Sequence, residues 1–176
     1  MAHEKFNERR REHRLPYEDK MIFTDGTRSL TGYAVNISRG GMFMKTLDPL
    51  PIDTVGHLAF TLLSHKESFC IRAKVAHLVF DRQRCEVDCG VGFMLLDVSD
   101  AHKSILNLHI LNEQKTYLEL KKILAPARPD SHQLAVALKK MPSLAKLDLL
   151  ALRYKVNRIC TVFETPIAIV DEDAAA

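Results

Sequence analysis

Cysteine is scarce in this sequence. There are four, Cys70, Cys85, Cys89 and Cys160, among 176 residues. That is too few for a disulfide scaffold in a chain of this length. Cys85 and Cys89 have three residues between them, which is not a standard zinc-knuckle spacing, and no paired Cys/His element lies nearby. Reduced thiols in a cytosolic protein are the expectation. Long hydrophobic runs are also missing. No stretch approaches the roughly 18–20 uncharged apolar residues of a membrane span. Met1 to Arg14 is charged throughout and has no apolar h-region, so no secretory signal is expected. Charge of one sign is missing as well. With 25 basic and 22 acidic residues the net charge is +3, which by itself predicts no partner.

Catalytic signatures are absent too. Eight histidines (His3, His13, His57, His65, His77, His102, His109 and His132) are scattered without a metal spacing such as H-E-x-x-H. No G-x-S-x-G, Walker A or G-x-G-x-x-G stretch occurs. Asp88, Asp97 and Asp100 form no persuasive acid/base pair. No catalytic residue, metal ligand or cofactor is therefore expected, and the chain does not read as an enzyme. Hydrophobic residues at 47% and charged residues at 27% still suit a globular protein with a sizeable core.

From about residue 20 to residue 96 the pattern is that of strands. Met21-Ile22-Phe23 runs into the turn dipeptide Asp25-Gly26. Leu30 to Ile37 is β-rich, and Met42-Phe43-Met44 resumes extended. Leu58, Phe60 and Leu62 alternate with more polar neighbours. Ile71, Ala73, Val75, His77 and Val79 form a second alternating set. Cys85, Val87, Cys89, Val91 and Phe93 form a third. The last two sets predict an antiparallel hairpin with one wet face.

At Ser99 the period changes. Val98-Ser99-Asp100 offers an N-cap, and Ile105, Leu108, Leu111, Leu118 and Leu120 follow at roughly helical spacing to about Ile123. Ala125 to Asp130 reads as a linker. Ser131 can cap a second helix with Leu134, Ala135 and Leu138 on one face, and Pro142 breaks it. Ser143 to about Tyr154 reads as a third helix. Ile159 to Val170 reads as a strand or as a buried helical continuation.

Two segments carry chemistry. Arg9, Arg10, Arg11 and Arg14 fall within six positions. Guanidinium is planar and always charged. It grips a phosphate or the O6/N7 edge of guanine through two bonds and stacks on aromatic rings. Arg10 and Arg14 lie four apart, on one face of a helix or convergent in an irregular turn. His13 lies inside this run, as a stacking or titrating group or as a spacer. The second segment is Asn36-Ile37-Ser38-Arg39-Gly40-Gly41. Asn and Ser hydrogen-bond at short range in turns, and Gly40 and Gly41 permit close backbone approach.

An Arg-x-x-x-Arg stretch, a break at Leu15-Pro16, one strand-sized interval and then Asn-x-Ser-x-x-Gly resembles the PilZ domain, a family that binds the bacterial second messenger cyclic di-GMP. Gly90-Val91-Gly92-Phe93 followed by Leu95 looks like the Gly-rich late strand of that family. The resemblance covers about residues 5 to 120. It implies a small antiparallel PilZ-type β-barrel with a following helix. Residues 125–176 lie outside the resemblance and read as a mainly helical C-terminal extension, so the expected fold is α+β, mostly β with helices, in domains 1–124 and 125–176.

The resemblance further implies a cyclic di-GMP site. Arg10 and Arg14 contact guanine edges and phosphates, Asn36 and Ser38 hydrogen-bond a guanine and a nearby phosphate, and Gly41 holds the loop. Arg9 reaches toward a second, stacked ligand. Arg11, Arg39 and Gly40 are secondary contacts. Asn36 stands where the family often has Asp, which removes a negative charge facing an anion. Ligand binding is expected to order the N-terminal arm and alter a surface read by a downstream protein.

Two competing readings remain: a PilZ-like adaptor that does not bind cyclic di-GMP, and a nucleic-acid binder using the arginine run. The second lacks interleaved aromatic residues, so no nucleic-acid partner is expected. Residues 125–170 either pack as a lid on the barrel or serve as a protein-binding or homodimer-forming extension.

Overall fold

The computed structural model describes residues 13–48, 50–62, 67–80 and 89–164. Among the described residues there are seven strands, most of them with alternating side chains: β1 (Leu15–Pro16), β2 (Lys20–Thr24), β3 (Ser29–Ile37), β4 (Gly41–Lys45), β5 (Val55–Leu62), β6 (Glu67–Val79) and β7 (Gly90–Leu95). Every pairing is antiparallel. The order β3-β2-β5-β6-β7-β4 returns to β3 through the β3–β4 ladder, and β1 is added beside β2 on β3. Six strands thus close into a barrel. Closure leaves no long unpaired edge to template aggregation.

Inward residues of each strand fill the barrel. In β2 the period is strict, with Met21 and Phe23 buried and Lys20, Ile22 and Thr24 exposed. Phe60 and Phe69 face each other across β5 and β6 and stack with ring centroids 4.9 Å apart. Phe23 and Phe93 meet at 4.8 Å. Each such fully buried side chain contributes about 1.5–3 kcal/mol relative to exposure. The Asp25-Gly26 turn closes β2 to β3. The Asp25 carboxylate accepts from the Thr27 and Arg28 amides at 2.9 and 2.7 Å, and these bonds hold its pKa down to about 2.

The expected hairpin forms, with Val75 opposite Phe93 in β6 and β7. Its wet face is only partly wet. A register shift between Val75 and His77 takes His77 out of the inward phase. Its ring instead covers Gly92, where an added Cβ would lie 1.9 Å from the imidazole. Cys89 is buried, as the alternation predicts, and Cys85 lies outside the described residues.

Three helices follow: α1 (Asp100–Leu124), α2 (Ser131–Lys139) and α3 (Leu149–Glu164). Ser99 caps α1, its hydroxyl accepting from the His102 amide at 3.2 Å. The buried face of α1 differs from the one expected. Leu106, Ile110, Tyr117, Leu120 and Leu124 are buried, whereas Leu108, Leu111 and Leu118 are exposed. A strict three-residue spacing such as 105-108-111 walks about 60° round a helix per step, so it cannot stay on one face.

Asp130, not Ser131, caps α2, accepting from the Gln133 amide at 2.8 Å. Ala137 is the buried residue of that helix, and Ala135 is exposed. The segment after Pro142 forms tight turns rather than helix, with Leu144 and Leu147 amides bonded three residues back. Asp148 then caps α3, which takes up the stretch from Ile159 to Glu164 as helix. Positions from 165 onward lie outside the described residues.

The described chain divides into two compact units. One is Arg14–Asn112, with the barrel and the first half of α1. The other joins His13 to the helical residues from Glu113 onward. Leu120, Leu144, Leu152, Val156 and Cys160 form the core of the helical unit. Lys140 bridges Glu119 at 3.1 Å, and Arg153 donates to the Pro126 and Ala127 carbonyls. Among the described residues no helix is long and apolar enough to cross a membrane.

Candidate ligand-binding site

Short as it is, β1 decides where the arginine arm arrives. Leu15 and Ile37 are both fully buried and pair across β1 and β3, with Pro16 opposite Asn36. Proline has no N–H to give a ladder, so it is tolerated in an added edge segment of this kind. The ladder then runs on toward β2. The Tyr17 amide donates to the Val35 carbonyl at 3.1 Å, and the Ala34 amide to the Asp19 carbonyl at 2.8 Å. Arg14, half-buried, immediately precedes this ladder and so sits at the end of β3 that carries the Asn-Ser-Gly turn.

Tyr17 anchors the same segment. Its hydroxyl donates to the Thr61 carbonyl and lies 3.4 Å from Asp19 Oδ2. Burial, with Asp19's charge adding to it, pushes the phenol pKa well above its ordinary value, so the hydroxyl stays a donor. The Tyr17 and His109 rings meet edge to face at 6.0 Å.

Asn36 owes its position to a β-bulge. From Leu30 to Ala34 the even positions of β3 point inward. Between Ala34 and Asn36 the register with β4 shifts, so Asn36 pairs Phe43 and Ile37 pairs Met42. One extra residue reverses the phase beyond it. Ile37 enters the core and Asn36 leaves it, half-buried. Asn36 Oδ1 is buried and has no hydrogen-bond partner. A buried acceptor left unpaired costs about 1–3 kcal/mol.

The turn itself is tightly bonded. The Ser38 amide donates to the Gly41 carbonyl at 2.8 Å, and the Ser38 hydroxyl reaches the same oxygen at 3.2 Å. The Leu95 amide donates to the Gly40 carbonyl at 2.9 Å, which ties the turn to the end of β7. Gly41 is required here by space. A Cβ would lie 2.4 Å from the Phe93 carbonyl oxygen on β7, a backbone atom that cannot step aside. Ser38 is buried and Arg39 is exposed.

Of the residues expected at the site, the fold brings together Arg14, Asn36, Ser38 and Gly41, with Arg39 and Gly40 on the same turn. Arg9, Arg10 and Arg11 lie outside the described residues. Sequence reasoning missed the ring surface beside Asn36. Phe43, the register partner of Asn36, stacks on His77 at 5.9 Å and 25°. The usable signal was the Gly90-x-Gly92 spacing, since glycine inside a strand marks a close approach. Among the described residues no group of three or more His, Cys, Asp or Glu is placed to hold a metal ion.

A family model described as the PilZ domain matches residues 8–112, more than half of the chain. The chain belongs to the PilZ domain family. No curated protein matches its sequence. The fold is similar to that of YcgR from Escherichia coli, solved in complex with c-di-GMP, at a TM-score of 0.51 and 18% identity over 63% of this chain and 48% of that one. It is also similar to the inhibitor of motility MotI/DgrA from Bacillus subtilis, at 0.50 and 14% identity over 61% and 52%. The PilZ domain of CeSA from a cellulose-synthesizing bacterium aligns at 0.43 and 19% identity over 57% of this chain and 98% of that domain. This chain thus covers about half the length of YcgR and MotI/DgrA. At these identities the likeness to YcgR and MotI/DgrA shows a shared fold.

Proposed function

We propose that this protein is a bacterial cyclic di-GMP receptor, not an enzyme, that relays ligand binding to a protein partner by a conformational change. Residues 1–124 act as the receptor module and 125–176 as its extension. One observation carries the reading: the Leu15↔Ile37 and Pro16↔Asn36 register delivers the end of the arginine arm to the Asn-Ser-Gly turn. Membership of the PilZ family and a fold like that of a c-di-GMP-bound protein support it.

In this reading Arg10 and Arg14 bond guanine O6/N7 edges and phosphate oxygens, each through a two-donor fork. Asn36 Oδ1, buried without a hydrogen-bond partner, accepts from a guanine N–H. Ser38 bonds the adjacent phosphate, and Gly41 keeps the turn against β7. Arg9 takes a second, stacked ligand, while Arg11, Arg39 and Gly40 add secondary contacts. The relay surface includes Leu150 and Tyr154 of α3, which are 79% and 68% exposed. A cytoplasmic location belongs to the same reading.

Calorimetric titration with cyclic di-GMP tests it. Binding is expected at about micromolar or tighter, roughly 8 kcal/mol, and Arg10→Ala or Arg14→Ala should weaken it at least tenfold. No heat from folded wild-type protein overturns the reading and leaves the family adaptor without a ligand.

A further inference from the structure

Two bulges, on different strands, turn side chains out of the barrel at one level. The first, between Ala34 and Asn36 of β3, puts Asn36 outside. The second, between Val75 and His77 of β6, does the same to His77, which would otherwise follow Ile71, Ala73 and Val75 into the core. The ladders join these two residues through the strands between them. Asn36 pairs Phe43, Phe43 pairs Gly92, and Gly92 pairs His77. One outward row therefore crosses β3, β4, β7 and β6, with neighbouring strands about 4.8 Å apart.

Glycine lets the rings of that row lie down. A Cβ on Gly92 would lie 1.9 Å from the His77 imidazole, and one on Gly90 would lie 2.7 Å from the Phe43 ring. Both rings thus rest on the backbone of β7, nearly parallel at 25° with centroids 5.9 Å apart. Both residues are half-buried, so the rings make a flat apolar ledge on the outside of the barrel. A planar heterocycle suits such a ledge, because aromatic faces take a base by offset stacking. Next along the row is Asn36, whose Oδ1 is buried with no hydrogen-bond partner. Register partners keep their Cβ atoms about 4.5–5.5 Å apart, so a base lying on Phe43 brings its edge to that acceptor. We propose that the Phe43–His77 ledge seats one guanine of the ligand, with Asn36 Oδ1 accepting from an N–H on the edge of the same base. This rests on the cyclic di-GMP reading above. It adds two ligand contacts that lie in neither the Arg-x-x-x-Arg nor the Asn-x-Ser-x-x-Gly segment, and it gives the two bulges a common purpose.

Two measurements on the full chain test this. The first uses wild type alone. Proton NMR of the cyclic di-GMP complex should show nuclear Overhauser contacts between a guanine H8 and the Phe43 ring, and the ring current of the ledge should move that H8 upfield of its free position. Bound ligand that shows neither overturns the seat. The second is calorimetry on variants outside the core. Phe43→Leu keeps an apolar cover on Gly90 and removes the ring, and it should bind cyclic di-GMP about fivefold or more weakly. Phe43→Tyr keeps the ring and should bind within about twofold of wild type. Equal affinity in Phe43→Leu and wild type, or equal loss in Phe43→Leu and Phe43→Tyr, overturns the ledge and leaves the receptor reading standing. Absence of heat from folded wild type overturns the receptor reading and the seat with it, so the two failures are told apart.

Discussion

Pro16 sits directly across from Asn36 in the two-residue ladder that β1 makes with β3. That pair fixes the relation between the arm and the turn. Residues along a strand are spaced about 3.3 Å apart. A slip of one position would shift Arg14 by that distance past Ser38 and turn Leu15 out of the core. The buried Leu15–Ile37 pair resists such a slip, so apolar packing one residue away holds the polar site in register.

Asn36 should trade stability against binding. Its Oδ1 is buried without a partner, and removing an unpaired buried acceptor relieves a cost of about 1–3 kcal/mol. Asn36→Ala is expected to leave the urea midpoint unchanged or raise it, while cyclic di-GMP affinity falls at least tenfold. A side chain held only by packing would show the opposite, with stability lost and affinity kept.

Gly92 and His77 should be coupled. Gly92→Ala drives a methyl group into the imidazole, and overpacking of this kind costs about 1–3 kcal/mol. The obstacle is a side chain rather than backbone, so removing the ring should relieve it. In a double-mutant cycle, Gly92→Ala should cost much less in a His77→Ala background than in wild type. Equal costs in both backgrounds would place the strain elsewhere.

Glu113 gives a pH signature. Burial raises its carboxyl pKa above the ordinary value, so its charged form is penalised in the folded state. The penalty is fully present where Glu113 is ionised. It disappears as pH falls through the raised value and then below the unfolded value near about 4.3. Glu113→Gln should therefore raise the melting temperature at pH 7, with the gain shrinking toward pH 4. A gain that persists at pH 4 would assign the effect to something other than charge burial.

Much of the barrel was legible because alternation is a local signal. Leu58, Phe60 and Leu62 read as one face, and they are one face. The polar turn at residues 36–41 was legible for the same reason, since Asn, Ser and paired glycines have few uses between two apolar runs.

The rest depended on distant partners. Leu15-Pro16 reads as a break because two residues carry no period, yet they pair with the far end of β3. His77 was assigned to the inward set because a single extra residue at position 76 leaves no mark on composition. Asp130 and Ser131 are both good caps in adjacent positions, and only the bond to the Gln133 amide decides between them. The membership of His13 in a ring cluster with Phe163 and Tyr117 joins residues about 150 and 46 positions apart along the chain, a separation no spacing rule spans.

Because the bulge in β3 is the one extra residue at Val35, substitution and deletion there should both spare the turn beyond it. Val35 is 42% exposed, and most replacements would leave Asn36 and Ile37 where they are. Loss of that single codon would bring Asn36 directly after Ala34, the order in which their partners Phe43 and Met44 already stand, so Ile37 would stay in the core and Asn36 outside it. At this position neither the side chain nor the residue itself is needed to keep the phase of the strand.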